Sequence, residues 1–174
     1  MAAASMYITF APEFADDSEW MQFKSILYSW LGTPYRHLTM VKGRGTDCTL
    51  FIGASLLEIG ILNDVVYEYY PKDWYQNADT EYVLNGFHRH FEEHASDRNT
   101  FAQLQPNNAI MRGDILTFCT KGSRVSNHAA VYIGDTDRGK QIIHAAPRRG
   151  VSLFPLRGYF ERHLTHIFRI MRAA

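Results

Sequence analysis

The run Gly-Thr-Asp-Cys at residues 45–48 places Cys48, one of two cysteines in a chain of 174 residues, directly before an apolar helical stretch. A thiol in the first turn of a helix meets unpaired backbone N–H groups and the positive end of the helix dipole, and both favour the nucleophilic thiolate. Asp47 is a capping residue by type, and a glycine-rich approach with a capping acid is more than a space-filling cysteine needs. Thiol chemistry also requires a base that exchanges a proton near neutral pH and a group that orients the base. Two histidines fit because both fall in β-rich runs. His128 opens HAAVYIGD, whose alternation sends His128, Ala130 and Tyr132 to one face. His144 lies in KQIIHAA, on the strand that returns through the turn at residues 135–140. Adjacent hairpin strands can hold two imidazoles close enough for one to orient the other; two histidines satisfied separately at strand ends is the plainer alternative.

The elements that must position these groups follow from periodicity. Asp17 or Ser18 can cap a first helix in which Trp20, Phe23, Ile26, Leu27, Trp30 and Leu31 recur at helical spacing until Gly32. A Gly- and Pro-containing loop leads to a second helix, from Cys48 to about Ile59, that is apolar on almost every side and so belongs inside the core. Residues 63–107 are irregular and rich in aromatics, with Asp79 or Thr80 able to cap a helix through EYVLNGFHRHFEEHA. From residue 112 the pattern changes to short β-rich runs separated by turn chemistry. Helices followed by antiparallel strands predict an α+β domain, with N-terminal helices packed on a central antiparallel β-sheet. One domain over residues 1–174 is expected, carrying an aromatic-rich insert at about 63–107.

Composition narrows the function. The chain is 46% hydrophobic and 14% aromatic, and its 18 basic residues balance 18 acidic ones, so no global field invites nucleic acid. Two cysteines make neither a disulfide framework nor a zinc pattern, and Cys119 reads as a packed thiol. His90 and His94 in HFEEH fit an H-x-x-E-H metal pattern, but Arg89, Glu92 and Glu93 describe a solvated helix face and no third ligand is evident. No metal and no cofactor are expected. The N-terminal MAAASMYITFAPEF lacks basic residues and its apolar run is broken, so synthesis in the cytoplasm without a signal peptide is expected. No stretch approaches the length of a membrane span.

Four ordered blocks, YSWLGTPYRHLTMVKGRGTDCTLFIGASL, RGDILTFCT, NHAAVYIGD and IIHAAPRRGV, resemble the NlpC family of papain-like cysteine peptidases. The resemblance implies a papain-like core with Cys48 as nucleophile, His128 as base and His144 as the polar group that holds the imidazole. It places Tyr35 beside the cysteine and gives Asp47 the free amine of a stem peptide, both as substrate-binding residues. The implied reaction is hydrolysis of amide bonds in peptidoglycan stem peptides, often between D-γ-glutamate and a diamino acid. The chain departs from the family pattern at Thr49, where serine is usual, and at LTMVK, where a glycine pair is usual after the Tyr-Arg stretch. The spacing from Cys48 to His128 is also wide. The YYPKDWY segment resembles the phage and prophage branch, which implies tail or particle proteins as partners and delivery to the wall by phage, particle or lysis. Two rival readings are a thiol acyltransferase, whose relatives carry histidine upstream of cysteine, and a particle assembly component with little or no hydrolysis.

Overall fold

The computed structural model describes residues 9–67, 69–76 and 79–173. The signal-peptide expectation therefore falls mostly outside the described residues. The N-cap of helix α1 (Asp17–Ser29) is Asp16, one residue before the expected Asp17 or Ser18: its carboxylate accepts the N–H groups of Ser18 (2.8 Å) and Glu19 (3.1 Å). Its stripe of Trp20, Phe23 and Leu27 is buried, and Phe14 stacks on Phe23 at 4.4 Å. Helix α2 (Cys48–Glu58) is buried through nearly its whole length, as its all-round apolar sequence requires, and ends where Gly60 turns into the left-handed region. Helix α3 (Tyr82–His94) buries Val83, Leu84, Phe87 and Phe91. Neither Asp79 nor Thr80 caps it. The N-cap is Glu81, whose side chain instead accepts the Ser126 N–H at 2.9 Å.

The sheet is antiparallel throughout and contains β1 (Phe10–Pro12), β4 (Asn99–Leu104), β5 (Ile115–Phe118), β6 (His128–Thr136), β7 (Gly139–Ala146), β8 (Gly150–Pro155) and β9 (Leu164–Ala173). A small hairpin of β2 (Met40–Val41) and β3 (Gly45–Thr46) stands apart, and a short helix α4 (Tyr159–His163) precedes β9. The β-rich runs expected from residue 112 onward are β5 to β9, and in the sheet they lie in the order β9-β5-β6-β7-β8. The simple sequence of helices followed by strands does not hold: β1 precedes α1, and β4 lies within the insert. Strand β9 is the hub. Residues 167–172 pair with β4 on one edge, while 164–168 pair with β5 and 171–173 with β1 on the other.

Alternation gives the sheet two apolar faces. Ala129, Val131, Ile143, Ala145 and Phe168 meet α1, α2 and α3 in the main core. Leu116, Phe118, Ala130, Tyr132, Ile142 and Ile167 form a smaller cluster on the opposite face, closed by Phe154 and Phe160. This is the predicted α+β architecture, with α2 seated against β6 and β7.

The loop after α1 is laced to β8. Gly32 N–H donates to Val151 O and Val151 N–H donates to Thr33 O, both at 2.9 Å. Gly150 permits this approach: its φ is +68°, and a Cβ there would lie 2.3 Å from the Thr33 carbonyl oxygen. Gly150→Ala is expected to lower stability by about 2–4 kcal/mol, from the left-handed backbone and the clash together. Gly139→Ala, at φ +82° with open space around it, serves as the control and should lose only about 1–2 kcal/mol. Thermal melts that place both variants at the same midpoint would show that the Thr33 contact relaxes freely.

Candidate active site

Cys48 is the first residue of α2, and Asp47 is the N-cap the sequence predicts. Asp47 Oδ1 accepts Leu50 N–H at 2.9 Å, Thr49 N–H at 3.2 Å and the Thr49 hydroxyl at 3.1 Å, while Oδ2 accepts Leu38 N–H at 3.0 Å. Leu38 stands where the family pattern would have glycine, and it adopts φ +53°, the region glycine favours. Its bond to Asp47 supports that conformation. The same carboxylate therefore builds the helix start and pins the preceding loop.

Tyr35 reaches the cysteine through a short pairing with the other side of that loop. Arg36 N–H donates to Thr46 O at 2.8 Å and Thr46 N–H to Pro34 O at 3.0 Å, so Tyr35 bridges Thr46, two residues before Cys48. Burial, then the nearby Cys48 and Asp47, hold the Tyr35 phenol well above the ordinary tyrosine range. It is a hydrogen-bond donor at any physiological pH.

The two predicted histidines meet. His128 Nε2 and His144 Nδ1 are 2.8 Å apart, with the rings crossed at 75°. Phe118 packs beside His128, Phe154 beside His144 and Phe160 against both. Burial in this aromatic setting, then the neighbouring His144, lowers His128 to about 3. Burial, then Arg149, lowers His144 to about 4. Both rings are neutral at pH 7. His144 Nε2 is buried without a partner among the described residues.

The Ala129 N–H, one residue after His128, points at the Cys48 sulfur together with the N–H groups of Cys48 and Thr49. The Cys48 sulfur thus lies beside the backbone at the start of β6, the strand that carries His128. The three N–H groups do not make the thiol anionic, contrary to the expectation from its helix-tip position. Burial, followed by the Asp47 charge, pushes Cys48 up to about 12. Two of the helix-start N–H groups are already engaged by Asp47, and little solvent reaches the sulfur. The resting pair is a thiol and a neutral imidazole.

Sequence reasoning missed what the insert contributes. Tyr70 approaches from residues 63–107, its hydroxyl beside the Asp47 carboxylate and the Thr49 hydroxyl, and burial raises its pKa as it does for Tyr35. His37 Nε2 donates to Tyr70 O at 2.8 Å, and Tyr70 packs against His37 and Tyr82. The insert also holds the loop before His128, through Glu81 on Ser126 N–H and through the Ser123 hydroxyl on Tyr75 O at 3.3 Å. It is a strap tied to both loops that flank the cysteine. The dense tyrosines of 67–75 were its only sequence signal. Cys119 stands apart just past β5, its thiol directed to Ser123 O. His90 and His94 lie one turn apart on α3, away from the paired histidines.

The NlpC/P60 family model matches residues 28–169. No curated protein matches the chain. A NlpC/P60 family protein from Bacillus cereus ATCC 10987 is similar over 85% of this chain and 39% of its own, at 21% identity and a TM-score of 0.52. A protein from Staphylococcus aureus subsp. aureus Mu50, described as similar to lipoprotein of the NLP/P60 family, is similar over 91% of this chain and 43% of its own, at 17% identity and a TM-score of 0.57. NlpC1 from Trichomonas vaginalis follows at 15% identity and a TM-score of 0.55, over 90% of this chain and 45% of its own. The chain thus spans less than half the length of these structural relatives, and at such identities they speak to fold alone. A family model that matches residues 28–169, most of the sequence, means that the chain belongs to the NlpC/P60 family.

Proposed function

We propose that this protein is a cysteine hydrolase that cleaves amide bonds in peptidoglycan stem peptides, with Cys48, His128 and His144 carrying the chemistry. The observation that supports it most is the 2.8 Å pairing of His128 Nε2 with His144 Nδ1 at the end of the strand whose next amide meets the Cys48 sulfur. The bond between D-γ-glutamate and a diamino acid is the preferred target, on the strength of the sequence resemblance.

The tautomers follow from the pairing. With Nε2 engaged by His144, His128 has Nδ1 left to meet the thiol. To act as a base there it carries its proton on Nε2 and donates it to His144 Nδ1, so His144 holds its own proton on Nε2. As the sulfur attacks the amide carbonyl, His128 Nδ1 takes the thiol proton. The tetrahedral oxyanion is received by N–H donors at the start of α2, the Cys48 N–H among them. The same His128 proton passes to the departing amine, leaving a thioester. A water deprotonated by His128 attacks the thioester carbonyl, and the proton returns to the sulfur as the acid leaves. His144 is a positioning residue: its Nδ1 lone pair steadies the imidazolium that forms in each half. The Tyr35 hydroxyl is proposed to donate to the substrate beside the cysteine. Asp47 is proposed to attract the free amine of the stem electrostatically, across its existing hydrogen bonds.

Mass analysis of muropeptide digests tests this directly. Release of a dipeptide from tetrapeptide stems should vanish in Cys48→Ala and in His128→Ala, while His144→Ala should lose about 10²–10⁴ in kcat. Unchanged product in Cys48→Ala would overturn the assignment.

A pH profile tests the neutral pair. Protonated His144 would donate to His128 Nε2 and drive the His128 proton onto Nδ1, which removes the base. In assays short relative to unfolding, kcat/KM should therefore fall only as pH approaches about 4. An acid limb centred on the ordinary histidine value of about 6.5 would contradict it.

Stability carries the same signature with a defined sign. The unfolded chain takes up histidine protons below about pH 6.5, whereas the folded pair does so only near 3 and 4. The folded state should be fully favoured above about 6.5 and lose on the order of 3 kcal/mol from His144 alone by pH 4. Melts of His144→Gln should show a shallower decline over that window; an equal slope would place the His144 imidazole in water.

A further inference from the structure

A cavity of about 90 Å³ lies between α2, α3 and the stretch that carries Leu62, Val65, Val66, Tyr67 and Tyr70. Leu50, Leu62, Val65, Val83 and Phe87 form apolar walls. Thr49, the residue after Cys48, and Tyr70 also line it, so the cavity adjoins the reactive corner. Val66, Tyr67 and Tyr82 are exposed at its rim.

Two features of α3 indicate an occupant. Gly86 sits in the middle of this helix, where glycine is less favourable than alanine by about 0.8–1.0 kcal/mol. Among the described residues nothing in the backbone or the packing calls for it: its φ is not in the left-handed region, and a Cβ there would meet none of their atoms within 4 Å. What glycine preserves is open volume on the cavity wall. One turn on, His90 Nδ1 lies 2.6 Å from Gly86 O, an acceptor only, so Nδ1 carries the proton. His90 also lines the cavity, and its Nε2 is buried with no partner among the described residues. In the neutral ring that atom is a lone-pair acceptor in apolar surroundings, an arrangement that costs free energy until a donor arrives.

We propose that this cavity, beside the Cys48 corner, is a binding site for a small apolar molecule bearing one hydrogen-bond donor. The ligand is a branched aliphatic or single-ring molecule whose hydroxyl or N–H meets His90 Nε2.

Para-cresol and toluene are suitable probes, alike in shape but with a donor only on the first. Titration followed by protein NMR should show para-cresol binding at least roughly fivefold more tightly, the ratio that a hydrogen bond of about 1 kcal/mol supplies. Gly86→Leu should fill the cavity and abolish binding of both, and its melt should not fall because leucine is the better helix former. In His90→Phe the two affinities should converge. Equal affinities in the unaltered protein, undiminished para-cresol binding in Gly86→Leu, or no binding at all would overturn the binding site. These readings need no turnover, so an inactive protein that still distinguishes the probes would sink only the hydrolase reading.

Discussion

One buried carboxylate holds the reactive corner together. Asp47 caps α2, fixes Leu38 in its left-handed turn, binds the Thr49 hydroxyl and lies beside the Tyr70 phenol. Each of these contacts is local, yet together they join three separate stretches of chain around a single side chain. The arrangement has an electrostatic consequence. An N-cap carboxylate takes N–H groups that a thiolate would otherwise use, and its charge opposes a second anion next to it. The group that gives Cys48 a rigid seat is also one of the reasons the sulfur rests as a thiol. In the proposed reaction, attack and proton removal then occur together, which makes the orientation of His128 matter more than the resting population of thiolate.

Much of this was legible in the primary structure, and the reasons are specific. Helix α2 could be read because an all-round apolar run after Thr-Asp-Cys has few other uses, and β6 to β9 could be read because alternation survives in each. The meeting of His128 and His144 followed from the hairpin between their strands. The protonation states did not follow, because desolvation depends on which rings close over a group. Phe118, Phe154 and Phe160 come from three different elements. Strands β1 and β4 were missed for a related reason. β1 is three residues ending in proline, and β4 is a strand only because β9 offers it an edge.

The insert is where sequence reasoning had least purchase. Its aromatic residues have no clear period, so composition alone could not separate a core from a lid or a docking surface. Its placement is defined by polar ties at long sequence separation: His37 to Tyr70, Ser123 to Tyr75, and Ser126 to Glu81. It thereby joins the loop before Cys48 to the loop before His128, and its Tyr70 lies in the buried surroundings of Asp47 and Tyr35.

The position of β9 has a further consequence for how the molecule comes into being. This strand, residues 164–173, pairs with β1, β4 and β5, segments spread across nearly the entire described chain. While the ribosome is still adding them, β4 lacks its partner, and β5 lacks the partner on one of its two edges. The sheet closes around this strand only after translation has passed residue 173. Such long-range closure is slow relative to helix formation, so α2 can form well before β4 and one edge of β5 find their partner.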